Sequence, residues 1–211
     1  MFTGIIQEVG KILKIAQSSD ATIFQIQSKT AINHKKIGQS IAVNGICVTI
    51  TSLSKGKFSF EAMQETLNRT NLKNAKVNDK VNLEPALTLN QSLDGHLVQG
   101  HIDAEGIVAK FSKIKNRSIL RIKFPKQISA YLSFKGSITV NGVSLTISDL
   151  QTDYFEVDLI PHTIKNTNLS DLEEGGEVNI ETDPIAKHIK QLLDHKELET
   201  KYEFLKDRNL I

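Results

Sequence analysis

The sequence predicts an all-β protein: two tandem copies of one small barrel or sandwich, followed by a C-terminal helix. Three observations carry this. Residues 40–51, SIAVNGICVTIT, return at 137–148 as SITVNGVSLTIS, with seven of twelve positions identical at an offset of 97; a repeat takes precedence over any single-segment reading of the fold. Each copy consists of short stretches broken by turn signals about every ten residues, the spacing of a small barrel or sandwich. After Asp183 the apolar residues change to helical spacing.

The elements follow in order. MFTGIIQEVGKILKIAQ reads as a strand beginning at the N-terminus, with Gly4 and Gly10 as sites for a bulge or bend. Residues 21–28, ATIFQIQS, alternate apolar and polar, and a polar link then ends at Ile37-Gly38. In the repeated stretch Ile41 and Val43 are apolar at odd positions, whereas Ile46, Val48 and Ile50 are apolar at even ones. The second copy changes phase at the same place, from Ile138 and Val140 to Val143, Leu145 and Ile147. Side chains alternate faces along a strand, so the change at Asn44-Gly45 and Asn141-Gly142 requires a bulge or tight turn. The face opposite the core then presents Cys47 and Thr49 in one copy, Ser144 and Thr146 in the other. A single such strand is most simply half-exposed. Two copies ending in the same arrangement point to a duplicated site.

A hairpin turn is expected at Ser54-Lys55-Gly56. FSFEAMQETLNRTNL, residues 58–72, then matches FEVDLIPHTIKNTNL, residues 155–169, through Thr66/Thr163, Thr70/Thr167, Asn71/Asn168 and Leu72/Leu169. Pro161 marks a strand end or edge. VNLEPAL from Val81 matches VNIETDP from Val178, and the opening MFTGII aligns with LVQGHI, residues 97–102, at an offset of 96. The expected linker is LNQSLDG, residues 89–95, which divides the chain into a first barrel at 1–92, a second at 93–184, and a helix and tail at 185–211. Asp183-Pro184 is a helix start, with a polar cap and proline in the first turn. Ile185, Ile189, Leu192 and Leu193 form an apolar stripe that needs a surface, either a barrel of the same chain or another copy.

Composition excludes several classes. The chain has 211 residues, 39% of them apolar, with no Trp, and its 26 basic and 24 acidic residues are well mixed for a net charge of +2. A nucleic-acid binder shows a basic stripe; Lys35-Lys36 and the run Lys113 to Arg117 read instead as solvated loop charges. No apolar run reaches the roughly 18 residues of a membrane span, and the opening residues have no basic n-region of a signal peptide. A single cysteine excludes an internal disulfide and argues against a Cys-based metal site. His96 and His101, five apart, share neither a helix face nor a strand face, and no acidic or cysteine cluster joins them. No dinucleotide fingerprint, phosphate loop or HExxH is present. The expectation is a soluble, cytoplasmic protein with no metal. Cys47 is either a nucleophile or an inert buried thiol. His101 stands where the first copy has Ile5, the asymmetry that either an acid–base group or drift produces.

MFTGII, VNGICVTIT, MQETLNRTNL, GHLVQGHID at 95–103 and KGSITVNGVSLTIS together resemble the riboflavin synthase family of the α-chain type, over nearly the whole chain. The resemblance implies two tandem six-stranded Greek-key β-barrels, a C-terminal helix, and a homotrimer held by those helices. It implies a four-carbon-unit transferase of riboflavin biosynthesis that dismutates two molecules of 6,7-dimethyl-8-ribityllumazine to riboflavin and 5-amino-6-ribitylaminouracil, without cofactor or metal. Association with lumazine synthase is a further implied partner. One pocket is expected to use Gly4, Ile5, Ile6, Cys47, Val48 and Thr49 with Glu61, Ala62, Met63, Gln64, Glu65 and Thr66. The other is expected to use Gly100, His101, Ile102, Lys135, Ser144, Leu145 and Thr146 with Asp158, Leu159, Ile160, Pro161, His162 and Thr163. Ser40, Cys47, His101 and Asp183 match polar positions near the chemistry, with Ser40 and Asp183 alternatively structural. His162 stands where relatives often carry Glu, before the Thr of the second repeat. The rival reading is a lumazine- or flavin-binding protein without catalysis; a reductase flavin barrel is a remote third, because no nicotinamide-binding domain follows.

Overall fold

The computed structural model describes residues 1–114 and 117–207. Strands β1 (Glu8–Gln17), β2 (Ala21–Gln27), β3 (Ser40–Val43), β4 (Ile46–Ser54), β5 (Lys57–Met63) and β6 (Lys80–Pro85) close one barrel in the order β1-β2-β5-β4-β3-β6. A short helix α1 (Gln64–Asn68) follows β5. Strands β7 (Ala104–Ile114), β8 (Arg117–Lys123), β9 (Ser137–Val140), β10 (Val143–Leu150), β11 (Tyr154–Leu159) and β12 (Glu177–Thr182) close a second barrel in the equivalent order, with helix α2 (Pro161–Asn166) after β11. Every pairing is antiparallel. Helix α3 (Pro184–Asp207) ends the described chain, and the last four residues of the predicted tail lie outside it. No described helix is long and apolar enough to cross a membrane.

The sequence pattern explains closure. Alternation along β2 buries Thr22, Phe24 and Ile26 while the residues between them stay partly exposed. Phe24 stacks on Phe60 with ring centroids 5.2 Å apart, and Phe124 on Phe155 at 5.9 Å, so each barrel has its own aromatic centre. Register shifts at Ile12/Lys14 and Ile50/Ser52 recur at Val108/Lys110 and Ile147/Asp149. Bulges increase local twist, and these allow six short strands to coil shut.

The phase change at Asn-Gly is a tight turn. Asn44 and Asn141 both have φ 47°, followed by Gly45 at 80° and Gly142 at 77°, the pattern of a two-residue hairpin that needs positive φ twice. The repeated stretch is therefore a β3–β4 hairpin in one barrel and a β9–β10 hairpin in the other. The two turns meet back to back: a Cβ on Gly45 would lie 2.7 Å from the Gly142 nitrogen, and one on Gly142 2.6 Å from the Gly45 nitrogen. Around them runs an asparagine network. Asn44 Oδ1 accepts from Asn82 N at 2.8 Å and Asn141 Oδ1 from Asn179 N at 2.9 Å. Asn82 Nδ2 donates to the Asn141 carbonyl and Asn179 Nδ2 to the Asn44 carbonyl, both at 2.9 Å. Buried amides bonded in both directions fix the mutual orientation of the barrels.

The structure departs from the sequence reading at the N-terminus. The first strand begins at Glu8, and residues 1–6 form a separate segment whose Phe2 bridges Val98 at the barrel junction. Gly10 marks no bulge or bend either: pairing with β6 runs unbroken from Glu8 to Lys11, and the register of β1 against β2 shifts at Ile12/Lys14 instead. Gly10 instead leaves room for Leu83 and the Gln27 carbonyl, which a Cβ would approach to 2.5 and 2.6 Å. Of the charge run after Phe111, Lys113 and Arg117 lie at the facing ends of β7 and β8, and the residues between Ile114 and Arg117 are outside the described set.

Candidate active site: two clefts with exchanged walls

Each barrel contributes the small-x-Thr strand read from the repeat. On the first barrel β4 carries Cys47, Val48 and Thr49, and pairing with β3 sets Ser40 opposite Thr49. On the second barrel β10 carries Ser144, Leu145 and Thr146, with Ser137 opposite Thr146. Ser40 thus shares the face of Cys47 and Thr49, termed the first cleft as the counterpart by repeat of the cleft on β10 that Ser137 lines.

The other wall of each cleft comes from the opposite repeat. Ser144 N donates to the Gly4 carbonyl at 2.8 Å, and Cys47 N donates to the Gly100 carbonyl at 2.9 Å. Gly4 has φ 77° and Gly100 φ 83°. A Cβ there would lie 2.6 Å from the Ser144 Cβ and 2.5 Å from the Cys47 Cβ. Only glycine meets both the left-handed backbone and the close approach. Ile6 packs against the second core and Ile102 against the first. The expected grouping is therefore corrected: Gly4, Ile5 and Ile6 belong with Ser144, whereas Gly100, His101 and Ile102 belong with Cys47. His101 is exposed and sits beside Gly100 on the first cleft.

Two buried carboxylates hold these segments. Glu84 accepts from Thr3 N at 2.7 Å, Thr3 Oγ1 at 2.8 Å and Gly4 N at 3.0 Å. Its repeat mate Glu181 accepts from Gln99 N at 2.7 Å and Gly100 N at 2.9 Å. Burial raises the pKa of both, against the pull of these donors, and Glu181 is pushed up to about 7. Both were missed in the sequence, although VNLE and VNIE place the same acid at the same repeat position.

The second cleft encloses about 440 Å³ and is lined by Lys135, Ser137, Ser144, Leu145, Thr146, Asp158, Ile160 and Thr163, among others. Lys135 holds φ 66° where the first repeat has Gly38 at 88°, so this cation has no counterpart at the equivalent position of the first repeat. Asp158 also lies 3.6 Å from Arg117. A residue missed as a site member, His96, is buried and places Nδ1 2.8 Å from Ser144 Oγ. Burial lowers its pKa, opposed by the charge of Asp183.

At the rims, Glu61, Met63, Gln64 and Glu65 are exposed, as are Asp158, Ile160, Pro161 and His162 across the repeat. Ala62 and Leu159 point their side chains into the cores and offer the clefts only backbone. The short helices α1 and α2 were not foreseen. Thr70 Oγ1 bonds the Thr66 carbonyl and Thr167 Oγ1 the Thr163 carbonyl, both at 2.7 Å, which explains the matched threonines. Asp183 caps α3, accepting from Ile185 N at 2.9 Å, so its structural role is visible.

These features define a class, and the comparisons agree with it. The model of the lumazine binding domain matches the chain twice, at residues 3–86 and 99–183. The chain is 44% identical to a riboflavin synthase of Actinobacillus pleuropneumoniae over 92% of this chain and 90% of that one. It is 40% identical to a riboflavin synthase of Bacillus subtilis over 95% and 93%. It belongs to the riboflavin synthase family. Among solved structures, LumP complexed with 6,7-dimethyl-8-(1'-D-ribityl) lumazine matches with a TM-score of 0.78 at 29% identity, covering 86% of this chain and 99% of that chain. LumP complexed with riboflavin matches with a TM-score of 0.81 over the same shares.

Proposed function

We propose that the chain is a riboflavin synthase: it binds two molecules of 6,7-dimethyl-8-ribityllumazine and transfers a four-carbon unit from one to the other. The products are riboflavin and 5-amino-6-ribitylaminouracil. The observation that carries this is the pair of equivalent strands β4 and β10, each bonded to a segment of the other repeat, with a cleft of about 440 Å³ on β10. Two copies of one substrate call for two copies of one pocket. Holding two heterocycles in near-attack geometry lowers a barrier by about 7–11 kcal/mol. Proton transfer at the acidic 7-methyl group adds roughly 10²–10⁴-fold.

His101 on the first cleft is the proposed proton-transfer group, and Cys47 contacts or adds to the ring beside it. Backbone groups of β4 and β10 pair with the ring's imide edge, while Thr49, Thr146, Lys135 and the rim carboxylates meet ribityl hydroxyls. Ser40 is proposed to assist through its place opposite Thr49. The active assembly in this reading is a homotrimer in which the first cleft of one subunit faces the second cleft of its neighbour. The exposed stripe Ile185, Ile189, Leu192 and Leu193 on α3 supports it. A cytoplasmic location and an association with lumazine synthase belong to the same proposal. Incubating the protein with the lumazine alone and following flavin absorbance tests it. Tight binding without flavin formation would establish the non-catalytic binder instead.

A further inference from the structure

We propose that His96 is a positioning residue of the second cleft, fixing the Ser144 hydroxyl as a hydrogen-bond donor toward an acceptor on the edge of the bound heterocycle. This rests on the reading of the clefts as lumazine and flavin pockets. His96 Nδ1 lies 2.8 Å from Ser144 Oγ, while His96 Nε2 is buried and has no partner among the described residues. Burial lowers the pKa of the imidazole, against the charge of Asp183, and so favours the neutral ring with one proton. A proton on Nε2 would bury an N–H with no acceptor. A proton on Nδ1 is donated to Ser144 Oγ, and only that tautomer satisfies the ring's donor.

The consequence falls on Ser144. Its oxygen accepts from His96, which leaves its own proton to point away from the imidazole and into the cleft that Ser144 lines. The serine cannot easily turn aside: its backbone N is bonded to the Gly4 carbonyl at 2.8 Å. Gly4 and Gly95 crowd it so closely that added Cβ atoms would come within 2.6 and 3.0 Å of its Cβ. A directed hydroxyl donor suits a ring carbonyl oxygen or bare imine nitrogen. The first cleft has Cys47 at the equivalent place, and a thiol is a weak donor. The second cleft is thereby the one that selects for the acceptor edge of its ring.

The test uses the full chain, with riboflavin as the probe. Fluorescence titration of His96→Phe is expected to show one class of site weakened about 3–10-fold, the worth of one neutral hydrogen bond, with the other class unchanged. His96→Asn, which keeps an N–H near the Nδ1 position, is expected to recover most of that loss. Ser144→Ala is expected to lose as much as His96→Phe, and the double variant no more than either. Unchanged affinities in His96→Phe, no recovery in His96→Asn, or losses that add in the double variant each overturn the proposal. Nitrogen NMR of the wild-type imidazole decides the matter even where a variant fails to fold: Nδ1–H is expected, and Nε2–H overturns it. Flavin formation from the lumazine is read in parallel. Its absence in the wild type refutes the enzymatic reading while the titration, which needs only binding, still tests His96.

Discussion

Removing Glu181 from the second barrel should damage the cleft of the first. Glu181 accepts two hydrogen bonds from the Gln99–Gly100 segment, at 2.7 and 2.9 Å, and that segment lies on Cys47. Glu181→Ala leaves both amides without their acceptor. At about 1 kcal/mol each, the low end for buried unsatisfied groups, the segment is weakened by about 2 kcal/mol. Local opening then becomes roughly 30-fold more frequent. The Cys47 amide donates to the Gly100 carbonyl, so hydrogen exchange of that amide proton reports this opening. The rate should rise on the order of 30-fold in Glu181→Ala and stay near wild type in Glu84→Ala, whose carboxylate secures Thr3 and Gly4 against the other barrel. Equal acceleration in both variants, or acceleration in Glu84→Ala alone, would refute the exchange of walls.

Four other outcomes follow from the same geometry. His101→Gln should lower turnover by about one to three orders of magnitude with little change in ligand affinity, at or below the roughly 10²–10⁴-fold of general acid–base catalysis; steady-state kinetics and fluorescence titration check it, and Cys47→Ser should be milder. Glu181 retains its proton in the fold up to about pH 7, against an ordinary value of 4.5. The native state thus holds more protons than the unfolded chain in that window, so stability falls as pH rises through it, by at most about 3 kcal/mol; denaturant melts at pH 5 and 7.5 should show this, and Glu181→Gln should lack that contribution to the slope. Gly45→Ala places a Cβ 2.7 Å from the Gly142 nitrogen at a φ of 80° and should cost roughly 1–3 kcal/mol in the same melts. A chain ending at Pro184 should sediment as a monomer with folded barrels and little activity, since burial of each stripe residue contributes about 1.5–3 kcal/mol.

Much of the architecture was legible because a repeat reports on itself. Strand β4 and its mate β10 were located from phase and identity alone, and the Asn-Gly turns followed from the change of face. The exchange of walls was not legible. Gly4 and Gly100 align, but alignment states equivalence and says nothing about which barrel each segment covers; that depends on contacts between Gly4 and Ser144, 140 residues apart. His96 was visible only as a poor metal ligand, because its partner Ser144 is 48 positions away. The helices α1 and α2 are five and six residues long, without a side-chain N-cap bond, so they give no periodic signal. Glu84 and Glu181 could have been found: a carboxylate duplicated at the end of a buried strand is costly unless it bonds to something.

The central claim is that two equivalent clefts hold two identical substrates for one transfer, and product stoichiometry tests it most directly. Purified protein given only 6,7-dimethyl-8-ribityllumazine should consume two molecules for each riboflavin and each 5-amino-6-ribitylaminouracil formed, with both products quantified by chromatography. Saturable binding of the lumazine with neither product formed, or flavin appearing without an equal amount of the pyrimidine, would contradict the account.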